Sequence, residues 1–464
     1  MPSGPELFVA QPSYSTELGR AKDLLLSHPT RWRIIYHYDG DGIASASSAM
    51  RALARLGYPA QASPLQGVER SRFEALVRST PGPLLVVDTG ASWPEVAVEH
   101  SHPVILLDHH QYPGAPKAPA LPSHVAFVNP LDWGVDGMTE LSAATLTWLF
   151  SVFLDGRNWD NAPWGISGAI ADRQHVGGFT GLNARLVKEA EDRSLLVRRR
   201  GMALFGATVA EAVAENIDPY VTGLSSRIGP SREFVEKLGI DPKKPPSALE
   251  PAEEQRLAQA ILPRLAAQGT RPEFLESVVQ NRWAVPALGL DAQEVSNLQN
   301  ATGRVGSPGL GIALALGDEQ AMHRARSAER TWRQGVLAGI RRLEDGGINS
   351  MNSLQWFESP DTTLAGTQAG LAMTYLLDSE RPVFAFTSGS DGVKVSARGT
   401  RYLVGRGLDL AVVCRDAARA VRGEGGGHRV ASGATIPNGE RDGFLQEADR
   451  RVAEQLHPVR ARSS

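Results

Sequence analysis

One cysteine in 464 residues, Cys414, leaves the chain without an intramolecular disulfide or a multi-thiolate zinc site. Its setting in the apolar run LAVVCRD suits a small core residue better than a nucleophile. Long apolar runs are missing as well. Nowhere do about 18 apolar residues follow one another, and the N-terminal MPSGPELFVAQPSYSTELGR lacks a basic segment leading into an apolar one. These absences predict a cytoplasmic protein with no membrane partner. An excess of one charge is also absent: 48 Lys and Arg face 51 Asp and Glu, for a net charge of -3. Any polyanionic partner must therefore meet a local basic patch. No internal repeat, heptad pattern or long low-complexity tract is present, and HPVRARSS at the C-terminus reads as a frayed tail. Metal chemistry, if present, must draw on oxygen and imidazole ligands.

What is present is an α/β pattern. The chain is 42% hydrophobic, enough for two or three domains of ~100 to 200 residues. Between about residues 31 and 130 short apolar runs (RIIYH, PLLVVDTG, PVILLDHH, VAFVNP) alternate with helical stretches such as SASSAMRALARLG. That rhythm predicts a parallel sheet, and the unbroken apolarity of LLVVD and VILLD predicts strands covered on both faces. Helices are expected over about 139–155 and 162–173. From roughly 206 to 360 the sequence is polar and Pro-containing with no strong strand pattern, and reads as a helical insert or linker. Beyond it TTLAGTQAGLAMTYLLD reads as a helix, PVFAFTSGSDGVKVSARGT as a hairpin turning at Gly-Ser-Asp-Gly, and LDLAVVCRDAARAV as a helix. The fold class predicted is α/β, with an N-terminal parallel-sheet domain over 1–205, a helical insert over 206–360 and a smaller C-terminal α/β domain over 361–464.

Ligands of open α/β sheets bind at the carboxyl ends of the strands. Here those ends carry one kind of chemistry. RIIYHYDGDG supplies His37, Asp39 and Asp41, PLLVVDTG supplies Asp88, and VILLDHH supplies Asp108, His109 and His110; the helix ISGAIADRQ adds Asp172. Each piece alone has an ordinary explanation: a DxD that caps a helix, a turn aspartate, a buried histidine, an aspartate paired with Arg173. The strand ends together put four aspartates and three histidines at one edge of one sheet, and the helix adds Asp172. Carboxylates mixed with imidazole suit Mn²⁺ or Mg²⁺ better than structural zinc.

HYDGDG, VVDTG, LLDHH and GAIADRQ resemble the four ordered motifs of the DHH phosphoesterase superfamily, and EGGGHRVASGATI resembles the glycine-rich signature of its associated C-terminal domain. The resemblance spans about 30–205 and 360–455. NPLDWGVDGMTELSAATLTWLF, ADRQHVGGFTGLN and the long middle region are most similar to archaeal RecJ-like nucleases, some of which associate with the GINS replication complex. The resemblance implies two divalent ions, Mn²⁺ first and Mg²⁺ as the alternative. One would be held by His37, Asp39 and Asp88, the other by Asp41, Asp88, His109 and Asp172, with Asp88 shared. His110 would face the scissile phosphate or leaving group, and Asp108 would orient a histidine. Ser396, Arg398, His428 and the amides of Gly425, Gly426 and Gly427 would bind the phosphate or terminal nucleotide. The activity implied is an exonuclease releasing mononucleotides from single-stranded DNA or RNA, in replication or repair. A phosphodiesterase for oligoribonucleotides, 3'-phosphoadenosine phosphate or cyclic dinucleotides is the alternative enzyme, and a replication-fork scaffold bound to GINS the non-catalytic one. The glycine-rich stretch is read as a loop; it is no P-loop, because no Lys-Ser/Thr follows. VRRRG at 197–201 and HRARSAERTWRQ at 323–334 could guide a phosphate backbone, although a solvated helix face is the commoner reason for such runs, and Trp332 could stack a base.

Overall fold

The structure is a computed structural model and describes residues 12–67, 69–112, 120–390 and 392–456. The tail HPVRARSS and Asp391 of the expected hairpin turn lie outside them. The chain divides into two compact units, Met1–Gly201 with Gln280–Arg330, and Met202–Val279 with Thr331–Ser464.

The first unit is built on a parallel five-stranded sheet: β1 (Trp32–His37), β2 (Ala60–Leu65), β3 (Leu84–Val87), β4 (Val104–Leu107) and β5 (Val125–Val128), in the order β2-β1-β3-β4-β5. The apolar runs follow from the pleat, which sends successive side chains to opposite faces. Ile34, Tyr36, Leu85, Val87, Ile105, Leu107, Ala126 and Val128 enter one core. Ile35, Leu84, Val86, Val104, Leu106, Val125 and Phe127 enter the other. The first face is covered by helices α1 (Pro12–Leu26), α2 (Gly40–Arg55) and α4 (Ala143–Leu154), which give Leu18, Ile43, Ala46, Leu146 and Phe150 to the same core; the second receives Phe73 and Val77 from α3 (Arg70–Arg78). With no polar face on β3, β4 or β5, these strands present chemistry only at their ends; β1 and β2 keep polar positions of their own, Arg33 bonded to Ser63 at 2.9 Å and an exposed Gln61.

Helix α5 (Ala162–Ala171) packs on α2 and α4 through small residues. A Cβ on Gly165 would stand 2.5 Å from the Trp148 ring, and one on Gly168 would stand 2.2 Å from Ala144 Cβ and 2.4 Å from Asp41 Oδ1. Helix α6 (Gly181–Asp192) follows.

The expectation of a purely helical middle region is corrected. VRRRG is strand β6 (Val197–Gly201), paired antiparallel with β7 (Gln280–Val285), which pairs in turn with β8 (Leu290–Asp291). The pattern of β7 was hidden by a buried cation: Arg282 is 7% exposed and pairs with Asp291 at 3.0 Å, so a core position reads as polar. Helix α7 (Ala292–Arg304) returns to the first unit against α2 and α5.

The second unit carries a mixed six-stranded sheet of β9 (Asn349–Ser350), β10 (Gln355–Glu358), β11 (Val383–Gly389), β12 (Gly392–Arg398), β13 (Glu424–Gly427) and β14 (Ala431–Ile436), in the order β13-β14-β12-β11-β10-β9. β9 and β10 again belong to the stretch expected to be helical, and are too short to leave a periodic signal. Helices α8 (Thr362–Tyr375) and α9 (Leu410–Ala420) pack on this sheet over a core that includes Phe357, Phe384, Leu403, Cys414 and Phe444. No helix among the described residues is long and apolar enough to cross a membrane.

Candidate metal centre

The carboxyl ends of β1, β3 and β4 bring His37, Asp88, Asp108, His109 and His110 to one edge of the parallel sheet. Asp39 caps α2, its side chain accepting from the Gly42 amide at 3.2 Å, so the capping explanation of DxD holds for its first member. Asp41 serves a different helix. Its carboxylate accepts from Ser142 Oγ at 2.9 Å and from the amides of Ala143 and Ala144 at 2.9 and 3.1 Å, at the N-terminus of α4. Asp172 follows α5 as its C-cap. Asp88 sits beyond β3 at φ 58°, a left-handed conformation that a β-strand end has no reason to adopt unless it aims the side chain, while its amide still donates to Leu107 at 3.0 Å.

Two groups of ligand atoms result, His37 with Asp39 and Asp88, and Asp41 with His109 and Asp172, each lying within 4.8 Å. Asp88 faces both. Its Oδ2 lies 3.7 Å from His37 Nδ1 and its Oδ1 3.4 Å from His109 Nε2. His37 Nδ1 also lies 3.0 Å from Asp39 Oδ2, and His109 Nε2 lies 3.6 Å from Asp172 and 3.9 Å from Asp41. The other nitrogen of His109, Nδ1, is 2.7 Å from the Gly137 carbonyl. A carbonyl only accepts, so Nδ1 carries a proton and Nε2 is the nitrogen that faces the carboxylates, the one that would give its lone pair to a cation in exchange for a proton. Asp108, Asp88, His109 and His110 are equally close together, yet Asp108 is already engaged. Oδ2 accepts from the Ala91 amide at 2.7 Å; Oδ1 accepts from the His109 amide at 2.8 Å and from His110 Nδ1 at 2.7 Å. It therefore holds the strand end and His110 in place.

The electrostatics agree with a site built for added positive charge. Burial, then repulsion from Asp39 and Asp41, holds the Asp88 carboxyl well above the ordinary range. Burial and Asp41 do the same for Asp172, and burial with Asp39 raises Asp41 against the pull of His109. Asp39 goes the other way: burial opposes its ionisation, but His37 and then Arg304 hold it below. Burial likewise opposes ionisation of Asp108, and His110 overcomes it. For His109 burial disfavours the charged ring, yet Asp88, Asp172 and Asp41 outweigh it and hold its pKa high. Carboxylates that repel at this range release protons when a divalent cation binds among them.

Residues absent from the sequence reading complete the site. Gly137 has no room for a side chain, since a Cβ there would stand 2.2 Å from the His109 carbonyl. Arg304, from the middle region, lies over Tyr38 with its guanidinium 5.4 Å from the ring centre and donates to the Tyr38 hydroxyl at 3.1 Å. Gly303 permits this approach, as its Cβ would stand 1.9 Å from the Tyr38 carbonyl. Only the glycine-arginine pair in NATGRVG, in a stretch with no strand-end signal, could have pointed there.

In the second unit, Ser396 and Arg398 lie on β12, in register with Gly433 and Ala431 of β14. The glycine-rich stretch is not the loop expected but strand β13, with Gly425, Gly426 and Gly427 opposite Ala434, Gly433 and Ser432. Glycine weakens the strand signal in sequence, while close packing demands it here: a Cβ on Gly425 would stand 2.4 Å from the Cys414 carbonyl. His428 follows β13, exposed, its amide bonded to Ala431. Ser396 and Arg398 point toward Gly366 of α8, whose Cβ would stand 2.6 Å from the Arg398 guanidinium. The structure thus brings Ser396, Arg398 and the glycine strand into one sheet. Of the two basic segments, 197–201 is a strand rather than a helix face, while 323–334 lies on a helix with His323, Arg324, Arg326 and Arg330 exposed, the solvated face given as the commoner reason. Arg198 of β6 is paired with Glu191 at 2.6 Å, and Trp332 is 6% exposed within the helix Glu319–Glu344, buried rather than offered for stacking.

Residues 31–172 match the N-terminal domain of the DHH family, and residues 362–454 match the DHHA1 domain. An uncharacterized protein of Methanocaldococcus jannaschii is 28% identical over 94% of this chain and 96% of its own length. Among solved structures, RecJ of Thermus thermophilus in complex with Mn²⁺ superposes with a TM-score of 0.58 at 20% identity, over 94% of this chain, which spans only 55% of that protein. An exonuclease RecJ bound to manganese gives 0.56 at 18% identity over 96% and 97% of the two chains. CDC45 of Entamoeba histolytica gives 0.66 at 10% identity over 95% and 98%. Two domains matched in order, around a sheet whose strand ends gather acid and imidazole, mark the chain as a member of the DHH superfamily with a RecJ-like phosphoesterase fold.

Proposed function

We propose that this chain is a metal-dependent exonuclease that hydrolyses single-stranded DNA or RNA to mononucleotides in replication or repair. The observation that carries the reading is the double aim of Asp88, one oxygen toward His37 and the other toward His109. His37, Asp39 and Asp88 are the ligands of one cation and Asp41, Asp88, His109 and Asp172 those of its neighbour. Mn²⁺ is the first candidate, as in the two RecJ structures above, and Mg²⁺ the second. Divalent ions in such a pair acidify water and offset phosphate charge. The chain's own groups do the rest. His110, steadied through Nδ1 by Asp108, faces the scissile phosphate and can pass a proton to the leaving oxygen. Arg304, beside Asp39, adds a fixed positive charge to the same edge. Ser396, Arg398, His428 and the Gly425–Gly427 strand bind the phosphate or terminal nucleotide.

Strands labelled separately at each end, as DNA and as RNA, with Mn²⁺, with Mg²⁺ and with chelator, test the reading by product size. Metal-dependent release of mononucleotides from one end is the expected result. Intact long strands with cleaved dinucleotides or 3'-phosphoadenosine phosphate would replace it with the small-substrate phosphodiesterase.

The likeness of fold to CDC45 favours a second role, as a replication-fork scaffold that associates with GINS. Co-purification with GINS subunits is the expected outcome. Its failure removes the partner and leaves the enzyme.

A further inference from the structure

The proposed metal centre has a buried support that reaches two of its ligands from behind. Starting at Asp41, the carboxylate accepts from Ser142 Oγ at 2.9 Å, and Ser142 Oγ accepts in turn from the Thr145 amide at 3.3 Å. Thr145 Oγ1 donates to Asn183 Oδ1 at 2.7 Å, and Asn183 Nδ2 donates to Gln174 Oε1 at 2.6 Å. Gln174 Nε2 donates to the Gly137 carbonyl at 2.8 Å, the same oxygen that accepts from His109 Nδ1 at 2.7 Å. The path leaves one ligand and returns to another. Every side chain along it is buried, with Ser142, Thr145 and Asn183 at 0% exposure and Gln174 at 5%.

The polarity of the path is fixed by its ends. An ionised Asp41 only accepts, so the Ser142 hydroxyl must donate to it. The Gly137 carbonyl only accepts, so Gln174 must present its amide nitrogen there and its oxygen to Asn183. Asn183 must then turn nitrogen to Gln174 and oxygen to Thr145. No amide can flip without leaving two like groups face to face in a dry interior, where an unmet polar group costs its full desolvation. The consequence reaches the ligands: the Gly137 carbonyl stays where His109 needs its acceptor, and Asp41 keeps its orientation.

We infer that Thr145, Gln174 and Asn183 are positioning residues that couple Asp41 to His109 and preorganise the Asp41–His109–Asp172 cation site. His37 and Asp39 have no place on this path, so the network acts on one of the two sites. The inference rests on the metal-centre reading and deepens it.

The test is titration calorimetry of the chelator-stripped full chain with Mn²⁺. Thr145→Val removes one hydroxyl and Gln174→Met one amide, each at nearly constant volume. Each should weaken one class of Mn²⁺ sites by ~10- to 100-fold and leave the other within about twofold. Because both break one path, the double variant should lose no more than about the worse single variant. Ser151→Ala, which removes a buried hydroxyl bonded to Trp148 away from the path, should lower the metal-free melting temperature without changing Mn²⁺ affinity. If the wild-type chain takes up no Mn²⁺, the metal centre and this inference fall together. If it binds Mn²⁺ and both single variants match it, or the double variant shows the product of the single losses, the coupling alone is refuted.

Discussion

The two sheets offer chemistry in opposite ways. In the parallel sheet β3 and β4 are apolar on both faces, and the candidate functional groups are side chains crowded at the strand ends, where Asp88, Asp108, His109 and His110 follow the last residues of these strands. In the mixed sheet the corresponding stretch has almost no side chains: Gly425, Gly426 and Gly427 form an edge strand separated by β14 from Ser396 and Arg398 on β12. In the function proposed above, the first acts by charge and the second by backbone proximity. Their failures should differ accordingly, the first losing chemistry while keeping its fold and the second losing packing or affinity according to which glycine is filled.

The largest expected effect is at Asp88. Removal of a carboxylate shared by two cations should cut hydrolysis by at least about three orders of magnitude. Asp88→Asn is the cleaner probe than Asp88→Ala, because φ 58° is a conformation asparagine tolerates and alanine resists at about 1 kcal/mol. Burial and the neighbouring Asp39 and Asp41 disfavour an ionised Asp88 in the metal-free protein. The Asn variant should therefore melt, in chelator, no lower than the wild type. Single-turnover assays beside circular-dichroism melts read both quantities. Retained activity refutes the shared ligand, and a collapsed melting temperature refutes the separation of chemistry from fold.

Next come the glycines, where the comparison is sharpest. Gly137→Ala forces a carbon to 2.2 Å from the His109 carbonyl. The loop must move, and His109 loses its acceptor, so activity should drop by ~10- to 100-fold. Gly425→Ala meets the Cys414 carbonyl at 2.4 Å and should cost about 1 to 3 kcal/mol of stability in denaturant melts. Gly426→Ala meets nothing within 4 Å and should leave the melt unchanged, while raising KM if substrate approaches that backbone. Equal melts for Gly425→Ala and Gly426→Ala would break the contrast.

The same difference decides what the sequence made legible. Four strands of the parallel sheet, β1, β3, β4 and β5, and the candidate residues at the ends of β1, β3 and β4 could be read, because short unbroken apolar runs stop abruptly there, whereas β2 went unread since Gln61, Ser63 and Pro64 interrupt its run. The strands β7 and β13 could not. Arg282 enters a core position only because Asp291 neutralises it, and glycine carries no pattern of faces at all. Arg304 escaped for another reason: it arrives at Tyr38 from α7, some 260 residues along, and no local period reports a contact at that separation. The path from Asp41 to His109 was equally silent, since Thr145, Gln174 and Asn183 read as ordinary polar helix and turn residues until their partners are known.

The smallest expected effect concerns Cys414, which lies under the glycine strand rather than in it. Burial pushes its thiol up to about 12, with the Ser432 hydroxyl and the Arg398 charge pulling weakly the other way. Against the ordinary value of 9.0, this leaves a thiolate fraction about a thousandfold smaller in the folded protein than in the unfolded chain at the same pH. Aromatic disulfide reagents at pH 8 should thus label the denatured chain within seconds and the folded chain only at the rate of local opening. The linkage has a definite sign. A group that holds its proton more tightly when folded contributes its full stability below the unfolded value, so this contribution should decline as pH rises from 9.0 toward about 12 and be unaffected by acid. Cys414→Ala should remove that alkaline slope and leave hydrolysis at wild-type rate, since no step proposed for either sheet uses the thiol. Rapid labelling of the folded chain would mean that the Gly425 approach to the Cys414 carbonyl opens readily, and that the mixed sheet is not the packed platform which its glycines require.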